Sequence, residues 1–173
     1  MSKETPVEQL EKVDVEEIAK KYEVESRYRN IKGKVGLLVT AIAIAMSVFH
    51  LITAVVPMVS TKHRALHLLF ALVLVFLLYP GRKKSNKEKP TVFDYFFAIV
   101  AAIATGYLVV MFDSIAIRGM SATTLDLVMG FITMVVVLEA ARRSIGIELP
   151  LLSLAFLGYA YFGPYLPGGL AHR

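Results

Sequence analysis

The sequence predicts an all-α, polytopic membrane helical bundle with four spans plus a fifth connecting span, and with an N-terminal amphipathic cytoplasmic helix. Residues 35–59 form 25 positions without one Asp, Glu, Lys or Arg, and a hydrocarbon core of about 30 Å takes roughly 20 helical residues. Four more apolar runs follow, and none alternates as the strands of a barrel would. The five runs are 35–59, 65–80, 92–112, 125–141 and 149–165.

The first 34 residues differ from the rest because they are charged throughout. A Thr5-Pro6-Val7-Glu8 capping pattern predicts that a helix begins there. The apolar stripe of this helix is broken. It fits a helix that lies on the lipid headgroups or on a partner subunit, and it equally fits a solvated tail. We therefore divide the chain into a cytoplasmic or interfacial amphipathic helix (1–34), a four-helix membrane domain (35–144) and a connecting transmembrane helix with a truncated periplasmic end (145–173).

The basic residues predict the topology. Thirteen Lys and Arg flank one side of the predicted spans and four flank the other, so the N-terminus should be cytoplasmic and the C-terminus, after five crossings, external. This placement explains the net charge of +5 better than nucleic-acid binding does, and we expect no nucleic-acid partner. The chain has no cysteine, which excludes disulfides and thiolate chemistry.

Small residues at helical spacing predict packing seams within the bundle, because they let helix backbones approach closely in lipid. They are Ala41 and Ala45 in the first span, and Ala98, Ala101, Ala102 and Thr105 in the third. Only residues 60–64 separate the first two spans, which should therefore pair antiparallel. That loop and residues 113–121 are the expected outer contacts for a partner.

Polar residues at the span ends have two possible roles each. Asp94 and Asp126 lie in the first turns of spans three and four. This position favours a role as helix caps over a role as ion ligands. The basic loop 81–90 suits a solvated lipid anchor better than a specific lipid site. Membrane lipids are expected contacts in either case.

The candidate functional residues are few. His50 lies near the middle of span one and His67 less than a turn inside span two; they suit a proton relay or, more simply, hydrogen-bonded bundle histidines. Glu139 precedes Arg142 and Arg143 by three and four residues. That cluster fits either a partner-docking site or an interfacial ion pair at the membrane edge.

No motif points to catalysis. The sequence lacks a phosphate-binding glycine loop, a zinc-helix motif, and a nucleophile with a base and an orienting acid. We expect no enzyme activity and no cofactor in this chain. Transporter cores show broken helices repeated in two halves, whereas these spans look continuous, as in a scaffold.

Five strings in order resemble one family, the fused permeases of TRAP (tripartite ATP-independent periplasmic) transporters, of the type served by TAXI binding proteins. The strings are Val24-Glu25-Ser26-Arg27-Tyr28-Arg29-Asn30, His63-Arg64-Ala65-Leu66-His67-Leu68, Thr123-Thr124-Leu125-Asp126-Leu127, Leu138-Glu139-Ala140-Ala141-Arg142-Arg143 and Phe162-Gly163-Pro164-Tyr165-Leu166-Pro167-Gly168. The resemblance covers the chain from about Glu17 onward.

The resemblance implies a small Q-type domain in a bacterial or archaeal inner membrane. It would brace a large M-type domain, to which a periplasmic substrate-binding protein delivers organic anions such as carboxylates for sodium- or proton-coupled uptake. The family's substrate and ion sites belong to the large domain, which we expect to be absent from this chain. The rival hypotheses are a self-sufficient oligomeric transporter or channel, with His50 and His67 facing a pore, and a membrane anchor for cytoplasmic partners through residues 5–30.

Overall fold

The chain folds as an antiparallel bundle of α-helices. The computed structural model describes residues 28–82, 88–119 and 121–165, and no strand occurs within those ranges. The predicted helix in the first 34 residues lies almost wholly outside them. The described elements are α1 (Gly33–Val55), α2 (Ser60–Leu78), α3 (Val92–Arg118), α4 (Thr124–Ser144), α5 (Glu148–Phe162) and a 3₁₀ turn (Gly163–Tyr165).

Helices α1 to α4 are each long and apolar enough to cross a membrane, with 23, 19, 27 and 21 residues. The prediction of an all-helical, multi-pass membrane bundle is therefore confirmed. Helix α5 has 15 residues, or about 22 Å at 1.5 Å per residue. It is apolar and packs against α4, but it is shorter than the other four.

Two prolines end helices earlier than predicted. Val56 precedes Pro57 and adopts extended angles (φ −110°, ψ 94°), and Tyr79 precedes Pro80 with φ −99° and ψ 120°. A proline ring disfavours helical angles in the residue before it. As a result α1 ends at Val55 instead of residue 59, and α2 ends at Leu78 instead of residue 80.

The expected outer loops are largely helical. Helix α2 begins at Ser60, so residues 60–64 form its first turns, and the connection to α1 is residues 56–59. Helix α3 continues to Arg118, six residues beyond the predicted end of the span, and stops at Gly119, whose φ of +61° favours glycine. The prediction that 60–64 and 113–121 are loops is therefore wrong for most of their length.

Helices α2 and α3 form the most extensive contact in the bundle. Leu72, Phe76 and Leu77 of α2 are buried among other side chains. The face of α3 against them is narrow, because Ala98, Ala101 and Thr105 are buried there. The predicted seam on α3 is confirmed for these three residues. Ala102, the fourth predicted member, is only partly buried, whereas Ala104, which was not predicted, is buried.

The predicted seam on α1 is wrong for contacts within the described chain. Ala41 and Ala45 are both exposed, and Val39 is the buried residue of the helix. Helix α1 instead contacts α2 through a different strip of its surface, which includes the partly buried Ile42. Most of its apolar circumference faces outward.

We predict that Ala101→Leu, which adds three carbons to a fully buried position on α3, lowers the free energy of unfolding by about 1–3 kcal/mol through overpacking. Ala41→Leu on the exposed face of α1 is the matched control and should change it little. Unfolding in detergent, followed by circular dichroism, measures both. Equal effects of the two substitutions would contradict the packing described for α3.

Candidate functional site

Asp94 lies at the start of α3 and is 1% exposed. Its Oδ2 accepts hydrogen bonds from the backbone N of Thr91 (2.8 Å) and from Thr91 Oγ1 (2.7 Å), which completes a capping box. The same carboxylate contacts two arginines, Arg29 through Oδ2 at 2.7 Å and Arg143 through Oδ1 at 2.6 Å. The expected end-cap is therefore also the centre of a buried ion network.

Arg29 precedes α1 and is 1% exposed. Its Nη1 donates to the carbonyl of Leu77 (3.1 Å), and its backbone N donates to the carbonyl of Leu78 (2.8 Å). The last carbonyls of a helix lack partners within the helix. Arg29 thus caps the end of α2 while it pairs with Asp94 of α3.

The end of α4 completes the network. Arg143 Nε donates to Glu139 Oε1 at 2.8 Å, and Arg142 donates to both oxygens of Glu139, from Nε at 2.7 Å and Nη2 at 2.8 Å. Arg142 Nη2 also donates to the carbonyl of Gly81 at 3.0 Å. The guanidinium of Arg143 packs against aromatic rings as well, 4.9 Å from the centroid of Phe76 and 5.0 Å from that of Phe97.

This network joins α2, α3, α4 and the segment before α1 at one end of the bundle. Burying a charge is costly unless it is paired and hydrogen-bonded. Here each carboxylate oxygen of Asp94 and Glu139 accepts at least one hydrogen bond, and no buried side-chain nitrogen or oxygen among the described residues lacks a partner. Within this network, both acids are therefore held by guanidinium groups.

A second polar cluster lies toward the other end of the α1–α2 pair. His50 Nε2 is 2.9 Å from His67 Nδ1, and His50 Nδ1 is 2.7 Å from the carbonyl oxygen of Met46. The His63 ring lies edge-on to His50, with their centroids 5.2 Å apart. His67 is exposed, while His50 and His63 are partly buried.

The geometry assigns the protons of the histidine pair when both rings are neutral. A carbonyl only accepts, so His50 Nδ1 carries a hydrogen, and His50 Nε2 must then accept from His67 Nδ1. The remaining nitrogen of His67, Nε2, is an acceptor on an exposed ring.

Two further ion pairs lie at the same end as the histidines. Asp126 forms the capping box of α4 with Thr123, and it accepts from Tyr107 Oη (2.5 Å) and Arg118 Nη2 (2.6 Å). Lys62 of α2 pairs with Asp113 of α3 at 2.7 Å. These contacts link neighbouring helices. The Asp113 side chain is 69% exposed, and ion pairs at the surface contribute little stability, whereas the Asp126 side chain is only 9% exposed.

The structure brings the predicted site residues together in two separate places. Glu139, Arg142 and Arg143 meet at one end, and His50 and His67 meet at the other. Both histidines lie elsewhere along their helices than predicted: His50 is five residues from the end of α1, and His67 is seven residues after the start of α2.

The sequence reasoning missed the roles of Arg29 and Asp94 as partners of the Glu139 cluster. Arg29 is one of several basic residues before the first span and carries no local mark of burial. The available signal was Asp94 itself, because an acidic residue at the start of a span on the basic side needs compensating charge.

Within the described residues, no group of three or more His, Asp or Glu could hold a metal ion. Comparisons with known protein families, curated proteins and solved structures returned no match.

We predict that Asp94→Asn lowers the free energy of unfolding by about 3–5 kcal/mol, because it removes the buried carboxylate that pairs with both Arg29 and Arg143. Asp113→Asn removes a carboxylate whose side chain is 69% exposed and should cost less than about 1 kcal/mol. Unfolding in detergent, followed by circular dichroism, separates the two. Similar losses for both variants would contradict the structural role of Asp94.

Proposed function

We propose that this chain is the small scaffold domain of a TRAP-type secondary transporter for organic anions such as carboxylates. The observation that carries the proposal is the ion network around Asp94, which ties three helices and the segment before α1 into one unit at one end. A domain that braces a moving neighbour must resist shear between its own helices. Buried, fully paired charges with fixed geometry provide that resistance.

The outward surface supports the same role. Helix α1 exposes Ala41 and Ala45 together with larger apolar residues, and small residues permit close helix contact in a membrane. In this proposal the large transport domain packs on that face and holds the substrate and the coupling sodium ion or proton. The periplasmic binding protein docks at the histidine end, and the ion network lies on the cytoplasmic side of an inner membrane.

We expect proteoliposomes that contain this chain alone to show no uptake of labelled carboxylates under a sodium or proton gradient. Co-reconstitution with a large M-type domain and its binding protein should restore uptake. Ala41→Leu should then weaken co-purification with the large domain, while it leaves the isolated chain folded. Gradient-driven uptake by the chain alone, measured with an isotope-labelled substrate, would refute the scaffold role.

A second candidate function has its own observation. The hydrogen-bonded pair of His50 and His67, with an exposed Nε2 on His67, could pass protons in an oligomeric channel. The third hypothesis, an anchor for cytoplasmic partners, involves residues 5–30, most of which lie outside the described residues.

We expect vesicles that contain the unmodified chain alone to show no more proton flux than empty vesicles. His67→Ala should leave the flux at that same background. The readout is a pH-sensitive dye trapped in the vesicles, and Ser47→Ala, on the exposed surface of α1, is the control. A flux above background that His67→Ala abolishes and Ser47→Ala retains would favour the channel over the scaffold.

A further inference from the structure

A cavity of about 450 Å³ opens beside the ion network. Its polar wall comes from the segment after α2, the start of α3 and the end of α4, and its apolar wall from Phe93 and Phe97 of α3. Phe93 is 70% exposed, so the apolar wall continues onto the outer surface of the bundle. The cavity therefore lies at the boundary between apolar and polar surroundings.

The charges around the cavity do not cancel. Arg82, Arg142 and Arg143 line it together with Asp94 and Glu139, and Arg29 pairs with Asp94 from outside the lining. Among the described residues that line the cavity, three arginines thus face two carboxylates, and the carboxylate oxygens already accept hydrogen bonds from arginines or Thr91. The surplus positive charge favours an anion in the cavity.

Guanidinium nitrogens remain available for that anion. Arg143 uses Nε and Nη1 for its hydrogen bonds, and Arg142 uses Nε and Nη2. Within the described ranges, Nη2 of Arg143 and Nη1 of Arg142 donate to no residue. Arginine's rigid set of donors matches phosphate geometry.

Gly81 leaves space next to one of these nitrogens. A Cβ on Gly81 would lie 3.0 Å from Nη2 of Arg143 and 3.1 Å from its Cζ, so a larger residue would press on the guanidinium. The backbone of Gly81 also receives a hydrogen bond from Arg142. The end of α2 therefore keeps the buried arginine accessible from the cavity.

We propose that this cavity binds an anionic phosphate group, with the phosphodiester of an acidic phospholipid as its natural source. The phosphate contacts Arg142 and Arg143, and the acyl chains follow the exposed ring of Phe93 along α3. Basic pockets between membrane helices bind acidic headgroups in this way. The site is independent of the transport role proposed above.

Native mass spectrometry of the full chain in neutral detergent tests the site, with phosphatidylglycerol and phosphatidylcholine added in separate titrations. We expect phosphatidylglycerol to bind more tightly. Arg142→Gln should weaken its binding at least about fivefold, the effect of one basic residue at a membrane surface. The matched control is Arg118→Gln, which removes an ion-paired arginine at the opposite end and should change nothing.

Gly81→Ala provides a test that leaves every charge in place. It should also weaken phosphatidylglycerol binding, whereas Gly130→Ala, where an added Cβ meets nothing within 4 Å, should not. Circular dichroism of each variant confirms that it is folded. If Arg142→Gln does not fold, the comparison of the two glycine variants decides the question.

The phosphate group could come from a phospholipid or from the free ion. Titration of inorganic phosphate against bound phosphatidylglycerol distinguishes these two sources. Displacement that depends on Arg142 and Gly81 would support a phosphate site open to the free ion, and no displacement would support a site that also requires the acyl chains. Equal phosphatidylglycerol binding by Arg142→Gln and Arg118→Gln, or equal binding of phosphatidylcholine and phosphatidylglycerol by the unmodified chain, would overturn the proposal.

Discussion

The arrangement of this bundle depends on the burial of one carboxylate, that of Asp94. A single acid out of water would be strongly unfavourable, and two buried arginines would be equally so. Together with Glu139 they form a hydrogen-bonded ion group whose members come from positions 29, 94, 139 and 143. Because each charge is stabilised by the others, the segment before α1, the start of α3 and the end of α4 must meet in one register. Apolar packing in lipid is less specific, since lipid tails are as apolar as the side chains they replace.

The two ends of the molecule differ in how their polar groups are held. At the Asp94 end Arg29, Asp94 and Arg143 are buried, and several contacts cross from one helix to another. At the other end Lys62 and Asp113 are paired but exposed, and the histidines lie on the surface of the α1–α2 pair. The first end therefore determines how the helices fit together, while the second holds its polar groups closer to the surface. A scaffold with one fixed end and one more exposed end is consistent with the proposed role.

The sequence was sufficient for the features that local chemistry controls. Long apolar runs predicted five spans, and four of the described helices are long and apolar enough to cross a membrane. The capping patterns at Asp94 and Asp126 were confirmed. Pro57 and Pro80 also mark helix ends in the sequence, because a proline disfavours helical angles in the residue before it. The pairing of Arg29 with Asp94 joins residues 65 positions apart, and no local pattern encodes it. The two small-residue seams had similar spacing, yet only the one on α3 is buried. Which helix packs against a given face depends on the arrangement of the whole bundle, and local spacing does not encode it.

Helix α1 is fixed mainly near its two ends. Arg29, just before it, is bonded to α2 and α3, and His50, near its other end, is bonded to α2. The helical part between them, residues 33–50, rises about 26 Å along the helix axis, slightly less than the thickness of a bilayer core. In a thinner or thicker membrane α1 cannot slide along α2 to match its hydrophobic length. The mismatch must instead be relieved by tilting the bundle as a body or by deforming the surrounding lipid.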